Sequence, residues 1–298
     1  MPLKNICSVR TQGISEKIET NLISYFDYGF VDKGGYFNVD LNQSGDYTSN
    51  LSSLTKVVDN RGFTYWAGPQ NWVYESGADS SGVNAPAQIY VNNNLYSLAT
   101  INYRDGYVYN IPSTGTSVKA EFSYKWVNFV SADKIHGLGK KISYNQNRID
   151  LDPVARSGAE VQISLPYVSF EVPPISNQKA YGMGGGDFTP TIYTHNVKAT
   201  IVSDNPNDVK RIGDIISAQQ GYSISAYDPE TARSSGDWPI NLNGTINTGK
   251  THSELADLYP WENIWVEKIT IEKGPKLGVN LFQSIARIEI KVVSCGCP

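Results

Sequence analysis

The stretch from Ala87 to Val130 constrains the fold most, because it consists of alternating segments joined by turn residues. From Val118 to Trp126 apolar and polar side chains alternate, which is the period of a strand with one buried face. Asp105-Gly106 separates two shorter alternating segments and predicts a hairpin, since Gly tolerates the positive φ of a tight turn. The stretch is rich in Tyr, Asn and Gly and has no recognisable catalytic group. We interpret it as a contact surface and predict assembly rather than enzyme chemistry.

Composition excludes several function classes. The chain has 298 residues, a net charge of −4 and no run of Lys or Arg, so we expect no nucleic-acid-binding footprint. No segment approaches the ~20 apolar residues of a membrane span, and no apolar signal-peptide core follows the start, so we expect no membrane partner. The 19 Tyr outnumber the 9 Phe and 6 Trp. This surplus is typical of interaction surfaces, but also of a plain aromatic-rich all-β fold.

The whole chain predicts an α+β, β-rich fold. Apolar residues recur every four positions over 14–28 and predict a first helix. Asn205 and Pro206 begin a second helix, whose buried stripe includes Ile212 and which ends towards Gly221. Residues 36–60 are interpreted as a loop with at most one short strand, and 228–260 as mostly loop with a helical turn at 253–258. Further strands are predicted at 161–172, 192–202, 222–227, 264–272 and 286–293.

These elements divide into two units and a connector. Residues 1–35 and 150–298 are predicted to form the α+β domain. Residues 36–130 are predicted to form an inserted β-sandwich or barrel-like module. Residues 131–160 are basic, then polar, and are predicted to be an extended connector. Loops of this length in compact domains are usually functional or mobile.

Candidate catalytic and metal-binding groups are few. His136, His195 and His252 are not accompanied by a Gly-x-Ser-x-Gly elbow, so no serine hydrolase is predicted. His195 lies on the apolar face of a predicted strand and is expected to be a core or interface residue. His252-Ser-Glu254 lacks the Pro-Cys-x-x-Cys partner of a zinc deaminase, and the three cysteines are too few for a four-ligand zinc site. We therefore predict no catalytic residue, no cofactor and no metal.

Three sequence segments resemble modules in structural proteins of tailed bacteriophages: Ile89-Tyr-Val-Asn-Asn-Asn-Leu-Tyr, Ile101-Asn-Tyr-Arg-Asp-Gly-Tyr-Val and Ala120-Glu-Phe-Ser-Tyr-Lys-Trp-Val. The rest of the chain is similar to a tail-terminator, or tail-completion, domain. The matching pieces are Ile14–Tyr28, Leu165-Pro166-Tyr167-Val168, 192–202 with 206–220, and 264–272 with 286–293. The resemblance implies a tail-terminator-like α/β sandwich domain with an inserted all-β module.

The resemblance also implies a function. It points to a virion protein, assembled in the host cytoplasm, that forms a ring, expected to be a hexamer, at the head–tail neck. The ring would join the tail to the head connector and cap the tail tube or sheath. Its partners would be other copies of itself and neighbouring neck, tail-tube or sheath proteins, with DNA only passing through the lumen.

Ring closure by head-to-tail contacts needs two different complementary patches on each subunit. The aromatic-rich module and the connector are expected to supply them. The predicted contact residues are Tyr65, Trp66, Tyr74, Tyr103, Arg104, His136, Lys140 and Lys141.

A second hypothesis is a tail-fibre or baseplate component with a carbohydrate-binding β module. In that case Tyr65, Trp66 and Tyr74 would stack on sugar rings. The same aromatic residues are equally compatible with the core of the module. We expect Trp72 and Trp126 to be core residues, and the sequence leaves Trp66 undecided.

Overall fold

The computed structural model describes residues 13–41, 52–58, 62–68, 71–73, 87–114, 117–132, 165–174, 177–180, 191–241, 247–275 and 281–294. Within these ranges the fold is mixed α+β and rich in strands, which confirms the predicted class. None of the described helices is long and apolar enough to cross a membrane.

The elements follow one another in this order along the chain. The helices are α1 (Ile14–Asp32), α2 (Pro206–Ser217), α3 (Pro229–Ser235) and α4 (His252–Leu258). The first strands are β1 (Tyr36–Val39), β2 (Thr55–Val58), β3 (Thr64–Ala67), β4 (Trp72–Val73), β5 (Gln88–Val91), β6 (Asn94–Leu95), β7 (Thr100–Asn102), β8 (Tyr107–Tyr109) and β9 (Val118–Lys125). The remaining strands are β10 (Asn128–Ser131), β11 (Tyr167–Glu171), β12 (Asn177–Ala180), β13 (Thr191–Ser203), β14 (Ser223–Tyr227), β15 (Pro260–Lys273) and β16 (Phe282–Ser294).

The largest sheet has the strand order β10-β11-β13-β16-β15-β14, and β12 pairs with β13. Its first pair, β10 and β11, is parallel, whereas the other pairs are antiparallel. Along β13 the side chains at 193, 195, 197, 199 and 201 are buried on one face, as the alternation predicted. Helices α1 and α2 pack on this inner face and form one apolar core with it.

Helix α1 covers the inner face through a stripe that includes Ile18, Leu22 and Phe26. It continues to Asp32, beyond the predicted end, because Phe30 and Val31 extend the buried stripe by another turn. Helix α2 begins as predicted: the Asn205 side chain accepts a hydrogen bond from the Asn207 amide at 2.9 Å, and Pro206 occupies the first turn.

Helix α3 lies in the segment predicted to be mostly loop, and the prediction was wrong there. Asp228 caps the helix by accepting a hydrogen bond from the Glu230 amide at 3.2 Å, and Pro229 follows it. Gly236, with φ of +76°, ends the helix in the left-handed conformation. The cap signals are present in the sequence, but seven residues are too few to display a helical apolar period. The predicted helical turn at 253–258 is confirmed as α4.

The β module is a sandwich of two sheets. The first has the order β1-β9-β5-β6, with β4 also pairing with β9, and the second has the order β2-β3-β8-β7. The Trp72 and Phe122 rings stack in the core between them with centroids 4.0 Å apart. The predicted hairpin is confirmed by β7, β8 and the positive φ of Gly106. The region 36–60 contains two strands rather than at most one, because β1 and β2 are short and gain their order by pairing with β9 and β3.

The chain leaves the α+β domain and returns to it at neighbouring points. The Trp126 amide donates a hydrogen bond to the Gly35 carbonyl at 2.9 Å, and strands β1 to β9 lie between these residues in the sequence. The predicted module boundary at 130 is too late, because β10 hydrogen-bonds with β11 in the large sheet. Phe129 of β10 packs against Phe26 with ring centroids 5.7 Å apart. From 133 onwards the predicted connector lies outside the described residues.

Candidate interaction surfaces

Four of the eight predicted contact residues lie in the described part of the chain. Tyr65, Trp66 and Tyr103 are buried, whereas Arg104 is exposed in the turn between β7 and β8. The predicted patch is therefore not formed by these four side chains. The other four predicted residues lie outside the described ranges: Tyr74, His136, Lys140 and Lys141.

Tyr65 and Trp66 are buried because β3 is an interior strand whose two faces are both covered. Tyr65 packs against Tyr107, with ring centroids 4.5 Å apart. Trp66 points to the opposite face and joins the core that contains Trp72. Two of the three aromatic residues proposed to stack on sugars are thus core residues, and Tyr74, the third, lies outside the described residues.

The two described histidines are buried and neutral at pH 7. His195 lies on the inner face of β13, as expected, and its Nδ1 is 3.4 Å from the Pro173 carbonyl oxygen. Burial lowers the pKa of His195. Burial also lowers the pKa of His252 to about 4, against the opposing effect of a hydrogen bond with the Asn21 backbone. His195 is fully buried, and His252 is almost fully buried beside the rings of Tyr25 and Tyr227.

No cluster of three or more His, Cys, Asp or Glu side chains suitable for a metal ion occurs among the residues that the structure describes. Cys7, Cys295 and Cys297 lie outside those residues.

The outer sheet face is the side of the large sheet that points away from α1 and α2. Its side chains come from β13, β15 and β16, where alternation is interrupted by one irregularity between Val266 and Lys268: Asn196, Lys198, Trp265, Glu267, Lys268, Thr270, Glu272, Arg287, Glu289 and Lys291. Lys198 pairs with Glu171 of β11 at 3.2 Å, Arg287 with Glu272 at 3.0 Å, and Lys291 with Glu267. Exposed pairs of this kind contribute little to stability.

Trp265 is the large aromatic side chain of the outer sheet face. Its neighbours Ile264 and Val266 are buried on the inner face, and the alternation therefore directs Trp265 outward, where it is 50% exposed. A half-exposed indole offers a large apolar contact area, and Trp is enriched among the residues that dominate protein contacts.

The helix groove is a concave surface on the opposite side of the domain. It has a volume of about 570 Å³ and is lined by residues of α1, α2 and α4 together with Trp126. Its aromatic and apolar residues include Tyr25, Phe26, Tyr28, Phe30, Trp126 and Ile215, and its cationic residues are Lys33 and Arg211. Predominantly apolar clefts with a few placed polar groups are the usual form of binding sites.

Two contacts hold the walls of the helix groove. The Arg211 guanidinium lies over the Trp126 ring, 4.7 Å from its centroid, which joins α2 to the end of β9 by a cation–π contact. The Tyr25 hydroxyl donates a hydrogen bond to Gln219 Oε1 at 3.0 Å. Burial raises the pKa of Tyr25, so this hydroxyl keeps its proton near neutral pH and remains a donor.

Sequence reasoning missed both surfaces, for different reasons. The alternation around Ile264 indicates that Trp265 faces outward, so the sequence contained the signal for the outer sheet face. The helix groove was not, because Tyr25, Trp126 and Arg211 are far apart in the sequence and meet only through the packing of α1 and α2 on one sheet.

No protein-family model matches this chain, and no curated protein is significantly similar to it in sequence.

Proposed function

We propose that this protein is a structural component of a tailed-phage virion. It forms a ring of the neck or tail-terminator type, which joins the tail to the head connector and caps the tail tube or sheath. The observation that carries the proposal is the pair of dissimilar surfaces on opposite sides of one sheet: the charged outer sheet face and the apolar helix groove. A ring closed by head-to-tail contacts requires two such surfaces on each subunit.

The two surfaces differ in chemistry, and an aromatic groove can receive an indole. The helix groove offers aromatic walls and the cations Lys33 and Arg211. The outer sheet face offers the indole of Trp265 among side chains of both signs of charge, with the Glu267 carboxylate paired with Lys291. In the proposed ring the outer sheet face of one copy docks on the helix groove of the next, and Trp265 enters the groove.

The order of the elements also supports the proposal. Helix α1 is followed by the β module, and then by β11, β13, α2, β15 and β16. This is the order of the pieces on which the resemblance to tail-terminator domains rests, with an all-β insertion after the first helix. The partners would be copies of the same chain and neighbouring neck, tail-tube or sheath proteins, with DNA passing through the lumen.

Negative-stain imaging of the purified chain and its Trp265→Asp variant tests the proposal. We expect the wild-type chain to form closed rings with a channel wide enough for duplex DNA. The variant should give separate subunits, because the groove loses the indole that fills it and an aspartate cannot replace that apolar contact.

Phe63→Asp is the matched control, since Phe63 is an exposed aromatic residue of the β module, outside both surfaces. This control should keep the rings. A wild-type chain without rings would contradict the proposed function, and a Trp265→Asp variant that still forms rings would contradict the proposed contact.

A further inference from the structure

The β module has a side that is formed by one short stretch of chain, residues 92–100, which we name the module edge. It contains β6, the last strand of the five-stranded sheet, and leads into β7, the last strand of the four-stranded sheet. One segment therefore closes both sheets of the sandwich on the same side.

The module edge exposes apolar side chains. Leu95 is 63% exposed and Leu98 is 72% exposed. The residue after each leucine, Tyr96 and Ala99 respectively, packs against the core instead. The side chains between and beside the two leucines, including Asn93, Asn94 and Ser97, are also exposed. Clustered exposed apolar groups in a polar frame are typical of contact sites.

The module edge is held in a defined conformation. Asn92 and Asn93 both have positive φ, of 51° and 66°, which is the backbone of a tight hairpin turn. The Asn92 side chain accepts a hydrogen bond from the Ser117 amide at 3.1 Å, and the Tyr96 hydroxyl donates one to the Asn110 carbonyl at 3.2 Å. A preformed surface loses little conformational entropy on binding.

The sequence contains no charged residue from 87 to 103. When two copies meet through the same surface about a twofold axis, equivalent groups come close together, and any charge tends to face its own like charge. An uncharged edge avoids this repulsion. Leucine side chains pack against one another, and the carboxamides of Asn93 and Asn94 can both donate and accept, so every group of the edge is complementary to itself.

We infer that the module edge is a contact between two copies of this chain, related by a twofold axis. β6 and β7 have two and three residues, too few for extended backbone pairing, so the exposed side chains carry the contact. This inference goes beyond the proposed ring: the ring contacts lie on the α+β domain, whereas the module edge pairs two subunits, or two rings, through their β modules.

The mass of the full chain in solution, measured by light scattering over a concentration series, tests the inference. The Leu95→Asp/Leu98→Asp variant places like charges on both copies and should have half the mass of the wild-type chain. The same holds for Leu95→Lys/Leu98→Lys. An equimolar mixture of the two variants should regain the wild-type mass, because opposite charges now meet. Leu258→Asp, at an apolar residue 51% exposed on α4, is the matched control and should keep the wild-type mass.

Three outcomes would overturn the inference. The wild-type mass could equal that of the Asp variant, or the mixture of variants could stay dissociated. In a third measurement, the wild-type chain could bind neutral phosphatidylcholine vesicles and the Asp variant could lose that binding without any change of mass. Near-UV circular dichroism of each variant reports the fold, and Leu95→Ser/Leu98→Ser replaces any variant that unfolds. The mass halves whether the wild-type species is a pair of rings or a pair of subunits. Imaging for rings therefore decides the proposed function separately.

Discussion

At the scale of single residues, buried polar groups determine how the helices sit on the sheet. The Asn21 carboxamide donates to the Tyr227 carbonyl and accepts from the Tyr227 amide, both at 2.9 Å, and so ties α1 to β14. His252 lies beside this contact, with its ring 5.4 Å from both the Tyr25 and the Tyr227 ring centroids. No local pattern in the sequence indicates such pairs, since the partners are joined only by the packing of distant elements.

The burial of His252 predicts a pH dependence of stability. Its pKa is lowered from 6.5 to about 4 in the folded chain, so between these values the unfolded chain binds more protons. The free energy of unfolding should therefore fall as the pH decreases from 6.5 to 4, by about 3 kcal/mol for this group. Urea denaturation across this range measures the effect.

His252→Phe is the control for this prediction, because it keeps a ring in the same packing without a titrating group. Its free energy of unfolding should change less over the same pH range than that of the wild-type chain. Equal pH profiles would mean that His252 does not titrate as a buried group. His195, whose pKa is also lowered, is present in both proteins and cancels from the comparison.

At the scale of elements, the sequence predicted those helices and strands in which apolar residues recur with a clear period. Alternation or a four-residue repeat predicted both long helices, the hairpin at Gly106 and the strands β11, β13, β14, β15 and β16. Strand β12 was not predicted, and β10 was assigned to the β module. Helix α3 was missed because it is short, β1 because its partner β9 is distant in the sequence, and β2 because it has only four residues. The predicted burial of Trp72 and Trp126 is confirmed. Tyr65 was equally compatible with a contact surface and with the core, and the structure shows it buried.

Helix α2 offers a test of packing at this scale. A Cβ atom added at Gly213 would meet Ile271 and Ile201 at 3.7 and 3.9 Å, which are ordinary contact distances. Because Ala has a higher helix propensity than Gly, Gly213→Ala should raise the free energy of unfolding by about 0.5–1 kcal/mol. Urea denaturation measures it.

Gly35→Ala is the opposite case. A Cβ atom there would lie 2.6 Å from the Phe30 carbonyl oxygen, a backbone atom that cannot move without distorting the end of α1. The free energy of unfolding of this variant should be about 1–3 kcal/mol lower than that of the wild-type chain. If Gly213→Ala were the more destabilising of the two, the described packing of α2 on the sheet would be wrong.

At the scale of the whole molecule, the β module is an insertion whose two ends meet. Because Trp126 and Gly35 are hydrogen-bonded, replacing residues 36–125 by an Asn-Gly turn should leave the helices and the large sheet intact. The shortened chain should still unfold cooperatively in a thermal circular-dichroism scan, since its core is separate from that of the module.

Deletion of residues 36–130 is the matched comparison. It also removes Trp126, Val127 and Phe129 from the core and most of β10 from the sheet. It should therefore lower the melting temperature far below that of the shorter deletion. Equal stability of the two deletions would contradict the assignment of β10 to the α+β domain.

The central claim is that two dissimilar surfaces of one subunit close a ring, and the mass of the purified wild-type chain in solution tests it most directly. One subunit has a mass of 32.9 kDa. A closed ring, or a pair of rings, predicts a plateau at one whole multiple of this mass that further protein does not change. A mass of one or two subunits at every concentration, or a mass that grows without limit, would contradict the account.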